Sequence, residues 1–177
     1  MFMNRYKYKL KKSQNFITEQ EKELFWTKIF IYYINYSRGF DYKVEPYQNI
    51  HSLIDTKAVS QSGKYPELNM QLTWVKEIEF DPSKKPTKYL FFNKNAIEEA
   101  IRRKTPTENA KDVSDIILIL QGYMAEPWAN DILTDQFCDQ YKDSPFKSIY
   151  YIVRPTINLN GKEHPENGSV LPIKSFL

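Results

Sequence analysis

The chain predicts an α/β fold, a mixed central β-sheet flanked by helices, and three observations carry that expectation. Helical and extended patterns follow one another in the order helix, three strands, helix, strand, helix, strand. The run from Asp115 to Leu120 is almost wholly apolar and branched, as a strand covered on both faces must be. The run from Glu67 to Trp74 alternates strictly. Leu68, Met70, Leu72 and Trp74 project to one side, and Glu67, Asn69, Gln71 and Thr73 to the other. A meander followed by helix-separated strands gives a mixed sheet with helices on its faces. The strand reached through the second helix is expected to run parallel to its neighbour.

The elements are justified in turn. Thr18 and Glu21 fit a capping box, which opens a helix running to about Tyr36. Its residues from Leu24 to Ile34 are apolar on most sides, so it must be largely buried. Gly39 suits the left-handed position that ends such a helix. Strands are expected over Asp41 to Pro46, within Gln48 to Val59, and over Glu67 to Glu79, with a turn at Ser62-Gly63-Lys64. Prolines and charges make Asp81 to Pro86 a loop. Asn95 caps a second helix whose apolar stripe is Ala96, Ile97, Ala100 and Ile101. Arg102, Arg103 and Lys104 fall in its last turn, where cations suit the dipole. A third helix is expected at Asp131 to Tyr141 and a last strand at Ser148 to Val153. The organisation is then a basic arm (1–17), an α/β domain (18–153) and an irregular, proline- and glycine-marked tail (154–177).

Composition excludes several classes. With 41% hydrophobic and 15% aromatic residues the chain supports a real core. Cys138 is the only cysteine, so no intramolecular disulfide forms, which fits a reducing, cytoplasmic compartment. His51 and His164 are the only histidines, too few for a Cys/His zinc site. No apolar run reaches membrane-spanning length, and the N-terminus lacks the apolar core of a signal peptide. There is no P-loop, no dinucleotide G-x-G-x-x-G and no serine-hydrolase elbow. Arg5, Lys7, Lys9, Lys11 and Lys12 place five positive charges in an arm without acids, while the whole chain carries only +3. A basic arm on a slightly acidic body is suited to phosphates, and Tyr6 and Tyr8 interleave with its cations.

The polar face of the third strand is the candidate site. It carries acceptors and amides but no cation, and Asp55 lies near it if the second and third strands pair. The element order, Asp55 at the start of the second core strand and Asn69-Met70-Gln71 on the third together resemble the PD-(D/E)XK nuclease-like superfamily. That resemblance implies a restriction-endonuclease-like core over residues 18–153 and metal-dependent hydrolysis of DNA or RNA, as in restriction or defence enzymes. It implies Asp55, Glu67 and Asn69 as ligands of Mg²⁺ or Mn²⁺, and Gln71 as the group that positions water. Glu23 stands as the acid of the first helix. A metal there would polarise the phosphate and activate water.

The motif departs from the family pattern at two points. Asn69 replaces the acid of the acid-x-lysine element, and Gln71 replaces its lysine. Glu67 and Lys57 are the nearest residues able to substitute. The alternative is a catalytically inactive module of the same fold that binds nucleic acid or protein, as a monomer or a homodimer. Each residue also has a structural use: an aspartate at a strand end accepts backbone N–H groups, and amides on a covered face hydrogen-bond to neighbours.

Overall fold

The computed structural model describes residues 19–46, 53–75, 94–107, 112–122, 131–153 and 169–175. The elements are α1 (Glu19–Arg38), β1 (Tyr42–Pro46), β2 (Thr56–Ser60), β3 (Leu68–Trp74), α2 (Lys94–Lys104), β4 (Ile116–Gly122), α3 (Asp135–Asp139), β5 (Ser148–Val153) and β6 (Ser169–Lys174). The strands form one open six-stranded sheet in the order β1-β2-β3-β4-β5-β6. The pairs β1/β2, β2/β3 and β5/β6 are antiparallel, and β3/β4 and β4/β5 are parallel. This is the mixed α/β sheet expected, with the strand after α2 parallel to β3.

Two cores lie on the two faces of the sheet. On one face Trp26, Ile29, Phe30 and Ile34 of α1 pack on Leu68, Met70, Leu72, Ile117, Ile119, Tyr150 and Ile152. On the other, Ile97, Ala100 and Ile101 of α2 meet Ile116, Leu118, Leu120, Ile149 and Tyr151, with Phe137 of α3. Every residue of β4 and β5 is therefore buried. Each fully covered leucine or isoleucine contributes roughly 1.5–3 kcal/mol, so these two strands anchor the domain. Alternation along β3 divides as the sequence suggests: its apolar set faces α1, and Asn69, Gln71 and Thr73 face the α2 layer.

Local chemistry sets the ends. Gly39 adopts φ 68° and donates its N–H to Asn35 O at 2.9 Å, closing α1. The Asn35 side chain then clamps β1, donating to Tyr42 O at 2.9 Å and accepting from Tyr42 N at 3.0 Å. The Asp41 carboxylate accepts from Ser60 Oγ at 2.7 Å and Ser62 N at 2.8 Å, which ties the β2–β3 turn to the start of β1. The bonds from Ser62 and Ser60 hold the Asp41 carboxyl below the usual carboxylate range. Among the described residues no helix is long and apolar enough to cross a membrane.

Three expectations are corrected. Residues 169–174 form a strand where irregular chain was expected. Val170 enters the α1 core, and Leu171 and Ile173 the α2 core, as strand alternation requires. The register shifts between Ile149 and Tyr150, and Pro172 is placed on this last described strand, where it removes a ladder donor. Secondly, α3 begins at Asp135, because Thr134 caps it by accepting Phe137 N. Thirdly, α2 begins at Lys94, one residue before the expected cap. The basic arm, Thr18, His51, Glu77, Glu79, Trp128 and His164 lie outside the described residues.

Candidate functional site

The site is built where β2 enters the sheet. Leu53 and Ile54 pack against the α2 core and fix the approach of the chain. Asp55 follows, one residue before the paired register. Its N–H donates to Met70 O at 2.9 Å, and its Oδ2 accepts Leu72 N–H at 2.7 Å. The carboxylate thus continues the β2–β3 ladder where β2 has no further carbonyl to offer. Burial pushes the Asp55 carboxyl above its ordinary value; the Leu72 N–H and the nearby Lys104 charge oppose that rise.

Register separates the remaining candidates. Thr56 lies opposite Met70, and Lys57 opposite Asn69. Asn69 therefore faces Lys57 across the strands, while Asp55 reaches further along β3, to the backbone on either side of Gln71. Glu67 is paired with Lys57, the side chains being 44% and 24% exposed. The two residues expected to stand in for the acid and the lysine of the nuclease pattern are thus partners of each other. Asn69 donates from Nδ2 to Asp115 Oδ2 at 2.9 Å, and its Oδ1 is buried with no hydrogen-bond partner among the described residues. Gln71 is 5% exposed, and its Oε1 likewise has no partner among the described residues. Glu23 belongs to α1, in the other layer. Its backbone carbonyl accepts Thr27 Oγ1 at 2.8 Å, and Thr27 Oγ1 lies 2.9 Å from Thr56 Oγ1, next to Asp55.

The structure adds two residues that sequence reasoning missed. Lys147 Nζ lies 3.1 Å from Asp115 Oδ1, so Asn69, Asp115 and Lys147 form a chain across the starts of three parallel strands. The available signal was position: each of the two charges directly precedes a buried strand. The basic end of α2 is largely committed. Arg102 holds Glu99 at 2.7 Å, and Arg103 donates to Trp74 O at 2.7 Å. Trp74 itself packs edge-to-face on Trp26 at 5.6 Å, a packing role.

Mg²⁺ and Mn²⁺ take hard oxygen ligands and usually one or two carboxylates. Here one oxygen of Asp55 holds a backbone N–H, Glu67 holds Lys57, and Asn69 brings a neutral amide. Among the described residues no three histidine, cysteine or acidic side chains converge on one point. The set combines two amide side chains with two carboxylates, of which Asp55 is the desolvated one. Comparison of the chain with protein-family models, with curated proteins and with solved structures finds no match.

Proposed function

We propose that the chain is a restriction-endonuclease-like domain that binds nucleic acid without cleaving it. The fold-level part is supported by the helix–meander–helix–strand order, with Asp55 at the start of the second strand. The observation that carries the non-cleaving part is the Lys57–Glu67 pair. It joins the two groups that would have to restore a degenerate acid-x-lysine site. The basic arm ahead of α1 supplies the affinity for phosphates, with Lys104 beside Asp55 as a further cation.

A second reading keeps the metal. Asp55 sits where the nuclease resemblance requires an aspartate, and the Gln71 amide lies on the adjacent stretch of β3. In that reading Asp55, Glu67 and Asn69 would hold Mg²⁺ or Mn²⁺, Gln71 would orient water, and Glu23 would add outer charge. The metal would polarise the phosphate.

The test runs the full chain against mixed DNA and RNA, with Mg²⁺ and with Mn²⁺, beside Asp55→Ala and a form lacking residues 1–12. The expected result is binding without cleavage. Loss of the arm should weaken binding and flatten its salt dependence, by about 0.9 in log–log slope for each duplex phosphate contact removed. Metal-dependent cleavage that Asp55→Ala abolishes would overturn the non-cleaving reading in favour of the second. Absence of binding to any nucleic acid would overturn both and leave protein partners or a homodimer.

A further inference from the structure

Helix α1 buries Trp26, Ile29, Phe30, Ile31 and Ile34, which leaves Lys28, Tyr32 and Tyr36 at four-residue spacing on its outward side. Tyr32 is 48% exposed and Tyr36 84%; they are the exposed large hydrophobic residues among those described. Their rings are nearly parallel, with centroids 6.3 Å apart and planes 6° from parallel. Such a pair supports a helix by only about 0.2–0.5 kcal/mol, and that support does not require one ring to stand almost fully in solvent. Charge surrounds the pair unevenly. Lys28 lies one turn before Tyr32 and Arg38 two residues after Tyr36, both exposed. The acids of α1, Glu19, Glu21 and Glu23, all lie in its first five residues, at least five positions before Lys28, and the Asp41 carboxylate is held by Ser60 and Ser62.

We infer that Tyr32 and Tyr36 form a stacking platform for the bases of an unpaired nucleic-acid strand, with Lys28 and Arg38 contacting its phosphates. Flat, stiff rings with two rotatable bonds present a face to any base at small entropic cost, and flanking cations track the backbone. A second copy of the chain is a poorer fit. Two tyrosines supply far less than the roughly 800 Å² per partner of a stable protein interface. The platform lies in the α1 layer, away from Asp55. It shares with the proposed function only the class of ligand.

The experiment measures binding of labelled oligothymidylate and oligouridylate by the full chain, with the matching duplexes as competitors. Tyr36→Ala should weaken single-strand binding about 10-fold, and Tyr32→Ala/Tyr36→Ala further still. Tyr32→Phe/Tyr36→Phe should keep wild-type affinity, because the ring face and not the hydroxyl makes the contact. Duplex should compete poorly for the tyrosine-dependent component. Wild-type affinity in the double alanine variant would overturn the platform while leaving an arm-dependent binder intact. Concentration-dependent self-association, lost in that variant without any single-strand binding, would overturn it in favour of a second copy.

Discussion

Asp55 gives the sharpest test, because its two chemical roles separate in two substitutions. Asp55→Ala removes the acceptor of Leu72 N–H at 2.7 Å, and Leu72 is 5% exposed. A buried N–H left without a partner costs about 1–3 kcal/mol. In a domain of this size each kcal/mol lowers Tm by about 2–4 °C. Asp55→Asn keeps an oxygen for the same N–H and discards the charge. The Asp55 carboxyl titrates above its ordinary value, mainly from burial. The native state therefore holds this proton more tightly than the unfolded chain. Stability falls as pH rises from the ordinary carboxyl value through the raised native one, and the loss persists above it. Asp55→Asn should match or exceed wild type at neutral pH, and its advantage should shrink as pH falls from the raised native value to the ordinary carboxyl value. Urea melts across pH would read both effects. If Asp55→Asn is as damaged as Asp55→Ala at neutral pH, the charge and not the acceptor is what the fold uses, and the reasoning fails.

Other expectations follow from the same contacts. A Cβ on Gly122 would overlap the hydroxyl and ring of Tyr151, which is 1% exposed and cannot swing away. Gly122→Ala should cost about 1–3 kcal/mol in a denaturant melt, and a neutral result would show that β4 and β5 can shift. The Cys138 thiol is pushed up by burial and by Asp135 and Asp139. Its reaction with a disulfide reagent at pH 8 should be slower than that of a free thiol and should accelerate with pH, whereas immediate labelling would contradict its placement. The Lys57–Glu67 pair is partly exposed, so a double-mutant cycle should give a coupling of about 0.2–1 kcal/mol that fades at high salt. A salt-independent coupling would mean the pair is more enclosed than its exposure indicates.

Much of the architecture was legible because burial writes directly into the sequence. β4 and β5 are covered on both faces and read as apolar runs; β5 has the bounds expected for it. Gly39 was legible because one conformation ends such a helix. β6 was hidden, since it is short, carries Pro172 in its middle and follows a proline- and glycine-marked stretch. The site was only half legible. Asp55 could be recognised as a strand-end acceptor, but not that it would bind the N–H of Leu72. Lys57 and Glu67 read as separate replacements for a lysine and an acid, and only the β2–β3 register makes them partners. Asp115 and Lys147 lie 32 residues apart in sequence and meet through the side-by-side starts of β4 and β5.

Strand order in the sheet equals strand order in the chain. A chain leaving the ribosome can therefore add each new strand to an edge already built, without threading one between two earlier strands. One contact defies that schedule. Trp26 and its neighbours on α1, the first described element, share a core with Val170 of β6, the last described strand. Among the described residues, the core under α1 is complete only when β6 has docked. A chain stopped before residue 169 would hold most of the described sheet yet lack Val170 in the α1 core, which makes β6 the closing step for that core.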